Sequence, residues 1–291
     1  MNSYDLVFIG HVTIDDIEAA EGSSCGVPGG APFFGALAAA ISKKRIAVIT
    51  KMAKEDEHIL TLLKDSGVDV FHLDTVETTH MRVVHQTDNM DERLIYQTKN
   101  AGFFDIESIP PIESPLMHLG ALTDQEFTLE FMRQLKGRVP RLSMDMQNIV
   151  RQVDIATGLI NFKDTPVKKE MTMLVDVVKL DVVEAEILTG TNDLNEAAAI
   201  VEGWGSSETM ITRSDGVFLR HRGRTYFERY SNKSTHGRTG RGDTTMGAYL
   251  AWRIDHDVYE SLKFAVALAS IKMETPGPFR GLLDDVFARM I

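Results

Sequence analysis

The chain has 291 residues, 43% hydrophobic and 25% charged, with a formal net charge of −11 at pH 7. That length can bury one large α/β domain, and the acidic balance without a long basic run excludes nucleic acid and anionic membranes, either of which requires a cationic face. The single cysteine, Cys25, excludes an intrachain disulfide and a cysteine metal cluster, and the absence of a leader-like or membrane-length apolar stretch predicts a cytoplasmic protein.

In chain order the patterns predict a strand at 6–10, a helix at 32–42, a strand at 45–50, a helix at 56–63 and a strand at 68–73. HMRVVHQ (80–86) and RLIYQT (93–98) then predict a hairpin around the polar turn 87–91. Strands at 116–120, 141–145, 173–181 and 209–212 alternate with helices at 124–135 and 195–202, and helices at 244–253 and 259–274 follow. Nearly continuous apolar strands separated by helices indicate a parallel sheet covered on both faces, which binds ligands at the carboxyl ends of its strands. Asp145 and Thr212 close such strands, and Asp181 stands where a strand hands over to a helix. The hairpin and the excursion at 17–27 form either a small β lid over the site or a surface feature. No internal repeat or low-complexity segment is present.

GRTGRGDTTMGAYLAW (237–252) carries most of the chemistry. Gly240 and Gly242 precede a run able to form a helix, which places the N–H groups of Gly240, Arg241 and Gly242 at a helix N-terminus, where unpaired donors and the macrodipole favour an anion. Asp243, in the first turn, lies beside that anion. A site that holds a transferring phosphoryl and accepts a proton from a hydroxyl is that of a kinase acting on an alcohol. A tight glycine turn entering an ordinary helix is the plainer alternative, and the Arg-Gly-Asp tripeptide at 241–243 is a chance match in a chain without a secretion signal.

The same stretch resembles the C-terminal signature of ribokinase-like (PfkB) carbohydrate kinases, whose Gly-x-Gly-Asp run supplies an anion hole and a catalytic base. The resemblance covers most of the chain and implies one domain over 1–291. Its fold would be α/β, a three-layer α/β/α sandwich with a mostly parallel central sheet and a small β lid near 17–27 and 80–98. In GHVTIDD (10–16), Asp15 matches the aspartate that grips substrate hydroxyls, and a carboxylate can accept from two adjacent hydroxyls. PGGAPFFGALAAA (28–40) resembles the first signature, in which Gly29 and Gly30 let backbone approach the sugar.

Phe34 stands where the family usually has asparagine and offers an apolar face to a ring. This aromatic form, with Gln147 and Arg151 in DMQNIVR (145–151), resembles the archaeal-type myo-inositol 3-kinases. In KLDVVEAEILTG (179–190), Glu184 matches a glutamate that organises magnesium indirectly, through its hydration shell, and Asp181 replaces an asparagine. Thr212 and Gly216 in ITRSDG (211–216) match the loop that receives nucleotide phosphate, with Ser214 replacing a common glycine. FAVALASIKMETPGP (264–278) fits the adenine flank, or equally a core helix. Gly237 stands where several relatives carry an aspartate for a monovalent-cation site, so Arg238 and Arg241 either supply that positive charge or point to solvent.

The expected activity is ATP- and Mg2+-dependent transfer of a phosphoryl group to a small sugar, polyol or cyclitol, myo-inositol-like compounds being favoured. Asp243 is the expected base, and a small polyhydroxylated substrate and ATP are the expected partners; a homodimer is left open. A nucleoside kinase and a non-catalytic sugar- or nucleotide-binding regulator are the alternatives. The absence of a Gly-x-x-x-x-Gly-Lys-Ser/Thr run rejects a P-loop fold, and that of a Gly-x-Gly-x-x-Gly run after the first strand rejects a Rossmann dehydrogenase.

Overall fold

The computed structural model describes residues 2–19, 22–85 and 93–290. Its central sheet runs, from one edge, Asp69–Thr75, Ile46–Ala53, Leu6–Ile9, Leu116–Leu119, Arg141–Asp145, Val177–Asp181, Glu208–Thr212, Gly216–His221 and Arg224–Arg229. Pairings from the first edge through Glu208–Thr212 are parallel, and the last two are antiparallel.

Alternation along one strand explains the layers. Leu6 and Phe8 point into one core, with residues of the helices Ala31–Ala40, Arg241–Trp252 and Val258–Met273. Val7 and Ile9 point into the other, with the helices Leu129–Lys136, Val182–Thr189 and Leu194–Gly203. All four strand residues are fully buried, as the central strand of a three-layer sandwich must be. Among the described residues no helix is long and apolar enough to cross a membrane.

Three predicted boundaries shift most. Met173 ends the helix Lys168–Met173, and the strand predicted at 173–181 starts only at Val177. The run MTMLVDVV is mostly apolar, with Thr172 and Asp176 too far apart to set a period, so periodicity cannot separate its helical end from its strand. The helix predicted at 124–135 begins at Leu129, where the Thr128 side chain accepts from Phe131 N–H at 3.1 Å. The excursion at 17–27 is longer than expected, because it consists of the strands Thr13–Ala19 and Gly22–Gly29.

Those two strands join His80–His85 and Arg93–Lys99 in a second, four-stranded sheet. The predicted hairpin is therefore part of this sheet; Gln86 and its turn at 87–91 lie outside the described residues. His11 ties the base of the sheet to the sandwich. Its N–H donates to Glu126 Oε2 (2.9 Å), its Nδ1 meets Thr79 Oγ1 (2.8 Å) and its Nε2 meets Gly102 O (3.0 Å). Ala101 N–H donates to Thr79 Oγ1 at 2.9 Å, so chain entering and leaving the lid meets at one buried knot.

Candidate active site

A cavity of about 190 Å3 lies between this lid and the carboxyl ends of the central strands. Lid residues Ile17, Met81, Val83, His85, Arg93 and Ile95 form its roof. Its floor holds Gly240, Arg241, Gly242 and Asp243, together with Lys179, Asp181 and Thr212.

Gly240 caps the helix Arg241–Trp252 with φ +76°, a left-handed conformation natural to glycine. A Cβ there would also lie 2.5 Å from the Phe34 ring, so glycine is required twice over. The Arg241 N–H is spent on Arg238 O (3.1 Å), which removes one of the three expected anion donors. Gly242 and Asp243 remain in the first turn, where a helix offers its N–H groups no acceptor of its own. The helix is held in place at Gly247, where a Cβ would lie 2.1 Å from Gly35 O of the helix Ala31–Ala40.

Beneath the turn lies Lys179, which the sequence reading missed. Its Nζ is 2.7 Å from Asp145 Oδ2 and 3.7 Å from Asp243 Oδ1. Burial opposes its charge, but Asp145 and Asp243 outweigh that and raise its pKa. Burial pushes Asp145 up to about 6 against the pull of Lys179. A Cβ at Gly242 would meet Lys179 Cε at 2.9 Å, so this glycine lets the anion turn rest on the ammonium.

On the acceptor side, Asp15 projects from the lid strand Thr13–Ala19 and accepts from Thr13 Oγ1 at 2.6 Å. Burial, with the nearby charges of Asp243 and Asp16, raises its pKa to about 7. A Cβ at Gly29 would lie 2.0 Å from its Oδ2, and Gly30, at φ +94°, lines the cavity. Gln147 and Arg151 also line it. Gln147 Oε1 and Arg151 Nε are buried without a hydrogen-bond partner, a costly arrangement unless a polar ligand completes them. Phe34 borders the cavity but is only 5% exposed. Its ring packs on Gly240, which leaves little of the apolar face expected from the sequence open to the cavity.

Asp181 and Glu184 form a reciprocal helix cap. Glu184 N–H donates to Asp181 Oδ1 (2.9 Å), and Asp181 N–H donates to Glu184 Oε2 (2.8 Å). The other Glu184 oxygen accepts from Arg151 at 3.2 Å, and burial raises the Glu184 pKa to about 7. Asp181 borders the cavity, whereas Glu184 is fully buried behind it. Thr212 Oγ1 donates to Leu180 O at 3.3 Å. Gly216 lies away from the cavity lining; a Cβ there would strike Glu228 O at 2.3 Å, so its tight turn serves the edge hairpin. Arg241 lies over the Tyr230 ring, 5.5 Å from its centroid. Two signals were available for the missed residues: Lys179 is the one charged residue among the buried positions of the strand VVKLD, and Lys272, contacting the loop that leads into the same turn, is a lone lysine in a buried helical stretch.

A lidded α/β sandwich with an anion-binding helix turn beside a carboxylate defines a phosphotransferase acting on an alcohol. The chain belongs to the pfkB family of carbohydrate kinases, whose family model matches residues 4–284. It is similar to a solved pyrophosphate-dependent kinase of the ribokinase family complexed with a pyrophosphate analog and myo-inositol, at 30% identity and a TM-score of 0.89 over 97% of this chain and 99% of that one. A cytidine kinase from Thermococcus kodakarensis is 26% identical over 257 residues, 85% of this chain and 87% of that protein. Ribokinase from Arabidopsis thaliana, complexed with ribose and ATP, shares the fold, with a TM-score of 0.77 at 18% identity over 100% of this chain and 99% of that one.

Proposed function

We propose that the enzyme phosphorylates a hydroxyl of a cyclitol, myo-inositol or a close analogue, and that pyrophosphate is its donor. The observation that carries the acceptor reading is the pair of orphaned groups, Gln147 Oε1 and Arg151 Nε, at the cavity wall near Asp15. A polyol hydroxyl both donates and accepts, so a ring bearing several can satisfy an amide oxygen, a guanidinium N–H and a carboxylate together. The solved relative complexed with myo-inositol supports the same choice.

In the proposed reaction, the acceptor hydroxyl gives its proton to Asp243 as its oxygen bonds to phosphorus. The bond from that phosphorus to the bridging oxygen of the donor breaks, and the leaving phosphate keeps the electron pair. Gly242 and Asp243 N–H groups and the helix dipole face the charge that develops.

For the donor, the pyrophosphate-dependent relative is one support and the chain at the expected adenine flank is another. Ser231 N–H donates to Ser270 Oγ (2.9 Å), Lys233 N–H to Glu274 Oε1 (3.0 Å) and Arg289 to both Ser231 O and Glu274 Oε1 (2.9 Å each). These bonds strap residues 231–234 onto the end of the helix Val258–Met273, whose apolar residues face the core instead of a base.

A divalent cation fits the oxygen chemistry here in an indirect role. Among the described residues no three His, Cys, Asp or Glu side chains converge as a metal site. Magnesium keeps several waters when bound mainly by phosphates, and Asp181, at the cavity edge, would order such waters. Bound magnesium would neutralise charge on the donor phosphates.

Phosphorus NMR of the purified enzyme with pyrophosphate or ATP, each offered myo-inositol, other cyclitols, ribose and cytidine, tests both halves. Cyclitol phosphate formed from pyrophosphate is the expected result. The cytidine kinase relative favours a second reading, and preferential cytidine phosphorylation would replace the first.

A further inference from the structure

Lys272 is 1% exposed, near the end of the helix Val258–Met273. Its Nζ donates to two backbone carbonyls, Gly237 O and Thr239 O, in the loop that leads into the anion-binding turn. The same Nζ lies 5.2 Å from the centroid of the Phe34 ring, whose carbons in turn pack on Gly240. One buried cation thus touches two carbonyls and one aromatic ring, all within three residues of Gly240 or packed directly on it.

The loop has no other room for charge at this point. Gly237 N–H donates to Met273 O at 2.8 Å, and a Cβ at Gly237 would lie 1.8 Å from Thr275 O. Backbone approaches backbone so closely that any side chain at 237, a carboxylate included, is excluded. The carbonyls of Gly237 and Thr239 converge on one position, and two converging oxygens without a donor or a cation would repel one another. The lysine answers both needs, because an ammonium has three donors and a fixed charge. Burial lowers its pKa to about 8, a shift that Asp243 opposes and Arg241 adds to, so the ammonium is mostly protonated at neutral pH.

We propose that the Lys272 ammonium is a tethered internal cation that holds the 237–240 loop in its anion-binding shape, so that phosphoryl transfer by this enzyme needs no added monovalent cation. Lys272 is a positioning residue. It acts on the transferring phosphoryl through the loop that sets Gly240 in its left-handed conformation and aims the first-turn N–H groups. The positive charge that Arg238 and Arg241 were expected either to supply or to turn to solvent is, on this proposal, supplied by Lys272. The proposal rests on phosphotransferase activity but on neither the acceptor nor the donor argued above.

The test begins with the native enzyme at constant ionic strength in tetramethylammonium, sodium or potassium chloride, with whichever substrates turn over. Rates equal within about twofold are expected; a saturable rise of tenfold or more specific to potassium overturns the proposal. Lys272→Ala should lower kcat roughly 100-fold, as misplacing a catalytic loop by an ångström does, with acceptor KM changed only a fewfold. Potassium or methylammonium should restore part of that loss, a response a purely structural lysine would not give. Wild-type kcat in Lys272→Ala, or a loss that neither cation relieves while the variant stays folded by circular dichroism, also overturns it. If Lys272→Ala does not fold, Lys272→Met and Lys272→Arg decide together: lost kcat in the methionine variant with kcat largely kept in the cationic arginine variant supports the proposal, and wild-type kcat in Lys272→Met or equal loss in both counts against it. Calorimetric titration of pyrophosphate and of ATP into the native enzyme and Lys272→Ala, with each chloride in turn and read with whichever donor the native enzyme binds, needs no turnover. Weakened, potassium-responsive binding in the variant alone supports the internal cation even if the acceptor reading fails, and equal binding in both proteins counts against it.

Discussion

The floor and the roof of the cavity stand on different foundations. The floor grows from strands and helices sunk in the two main cores: Leu6, Phe8, Val48 and Leu180 are fully buried, and the anion turn begins a helix seated at Gly35 and Gly247. The roof is a four-stranded sheet over a far smaller cluster, in which, among the described residues, Met81, Ile95 and the neighbouring Ile160 are buried, with Val83, Leu122, Val153 and Phe162 packed around them. Few buried apolar contacts mean a low cost of local opening. On the proposed reading, the groups that would handle charge on the phosphoryl sit where geometry is stiff, and most of the apolar groups that would shape the acceptor sit where the chain can part to admit it. Asp15 departs from that division, a carboxylate of the roof that faces the cavity with Asp243.

The largest effect should come from the floor. Asp243→Asn is expected to keep the fold and lower kcat by roughly two to four orders of magnitude, the range for losing an acid–base group. Steady-state turnover beside a thermal melt checks this, and wild-type turnover would remove Asp243 from the role of base. Gly242→Ala comes next. Its Cβ would press on Lys179 Cε at 2.9 Å, pushing the turn or the ammonium aside, and about a 100-fold loss in kcat is expected for a displacement of that kind. Donor titration should show weakened binding in parallel; unchanged donor affinity and turnover would mean that the turn does not rest on Lys179.

Asp15 joins the two regions and is expected to act on binding. Asp15→Asn should raise acceptor KM roughly 10- to 100-fold, the worth of hydrogen bonds to a charged group, with a smaller change in kcat. Its folded pKa of about 7 is raised by burial first and by Asp243 and Asp16 after it. Acceptor affinity in the native enzyme should therefore improve as pH rises through about 7, a dependence that Asp15→Asn loses. Stability moves the other way. A carboxyl whose folded pKa is raised contributes stability fully present below its unfolded pKa and lost as pH rises through the folded value. Melting the native enzyme and Asp15→Asn at pH 5 and pH 8 should show the variant gaining relative to the native protein at pH 8. A relative loss there would contradict the buried-carboxylate reading.

The same contrast decides how much was legible in the sequence. Gly240, Gly242 and Asp243 fall within four residues because, on the proposed reading, one helix N-terminus supplies both donors and base, and such local requirements survive as a short motif. The parallel sheet was legible because strands buried on both faces are apolar throughout. The internal cation was not, since Lys272 comes from a helix whose apolar periodicity reads as core, and the two carbonyls it meets are backbone atoms that carry no residue signature. Gly216 misled for the opposite reason: it fits a familiar loop, but its lack of a Cβ answers a clash with Glu228. Residues of the roof were legible as strands only, because which ones point inward depends on the paired register of His80–His85 and Arg93–Lys99, including its irregularity between His80 and Met81.

The smallest expected effect belongs to that roof and sharpens the contrast most. Val83 lies on the lid strand His80–His85, lines the cavity and is half-buried. Truncating it to alanine removes two methyl groups from the acceptor's apolar wall and touches nothing that contacts the phosphoryl. At about 0.8 kcal/mol for each carbon buried, Val83→Ala should raise acceptor KM by roughly three- to tenfold, with kcat and donor affinity held within about twofold. Its melting temperature should scarcely move, because the lid's small cluster adds little to the stability of the two main cores. Selectivity is the finer readout. A wall lowered by two methyls should penalise the natural acceptor more than a bulkier cyclitol ether, which fills the space left behind. If Val83→Ala changed kcat as strongly as KM, the lid would be part of the phosphoryl-transfer machinery and the division between stiff floor and yielding roof would fail.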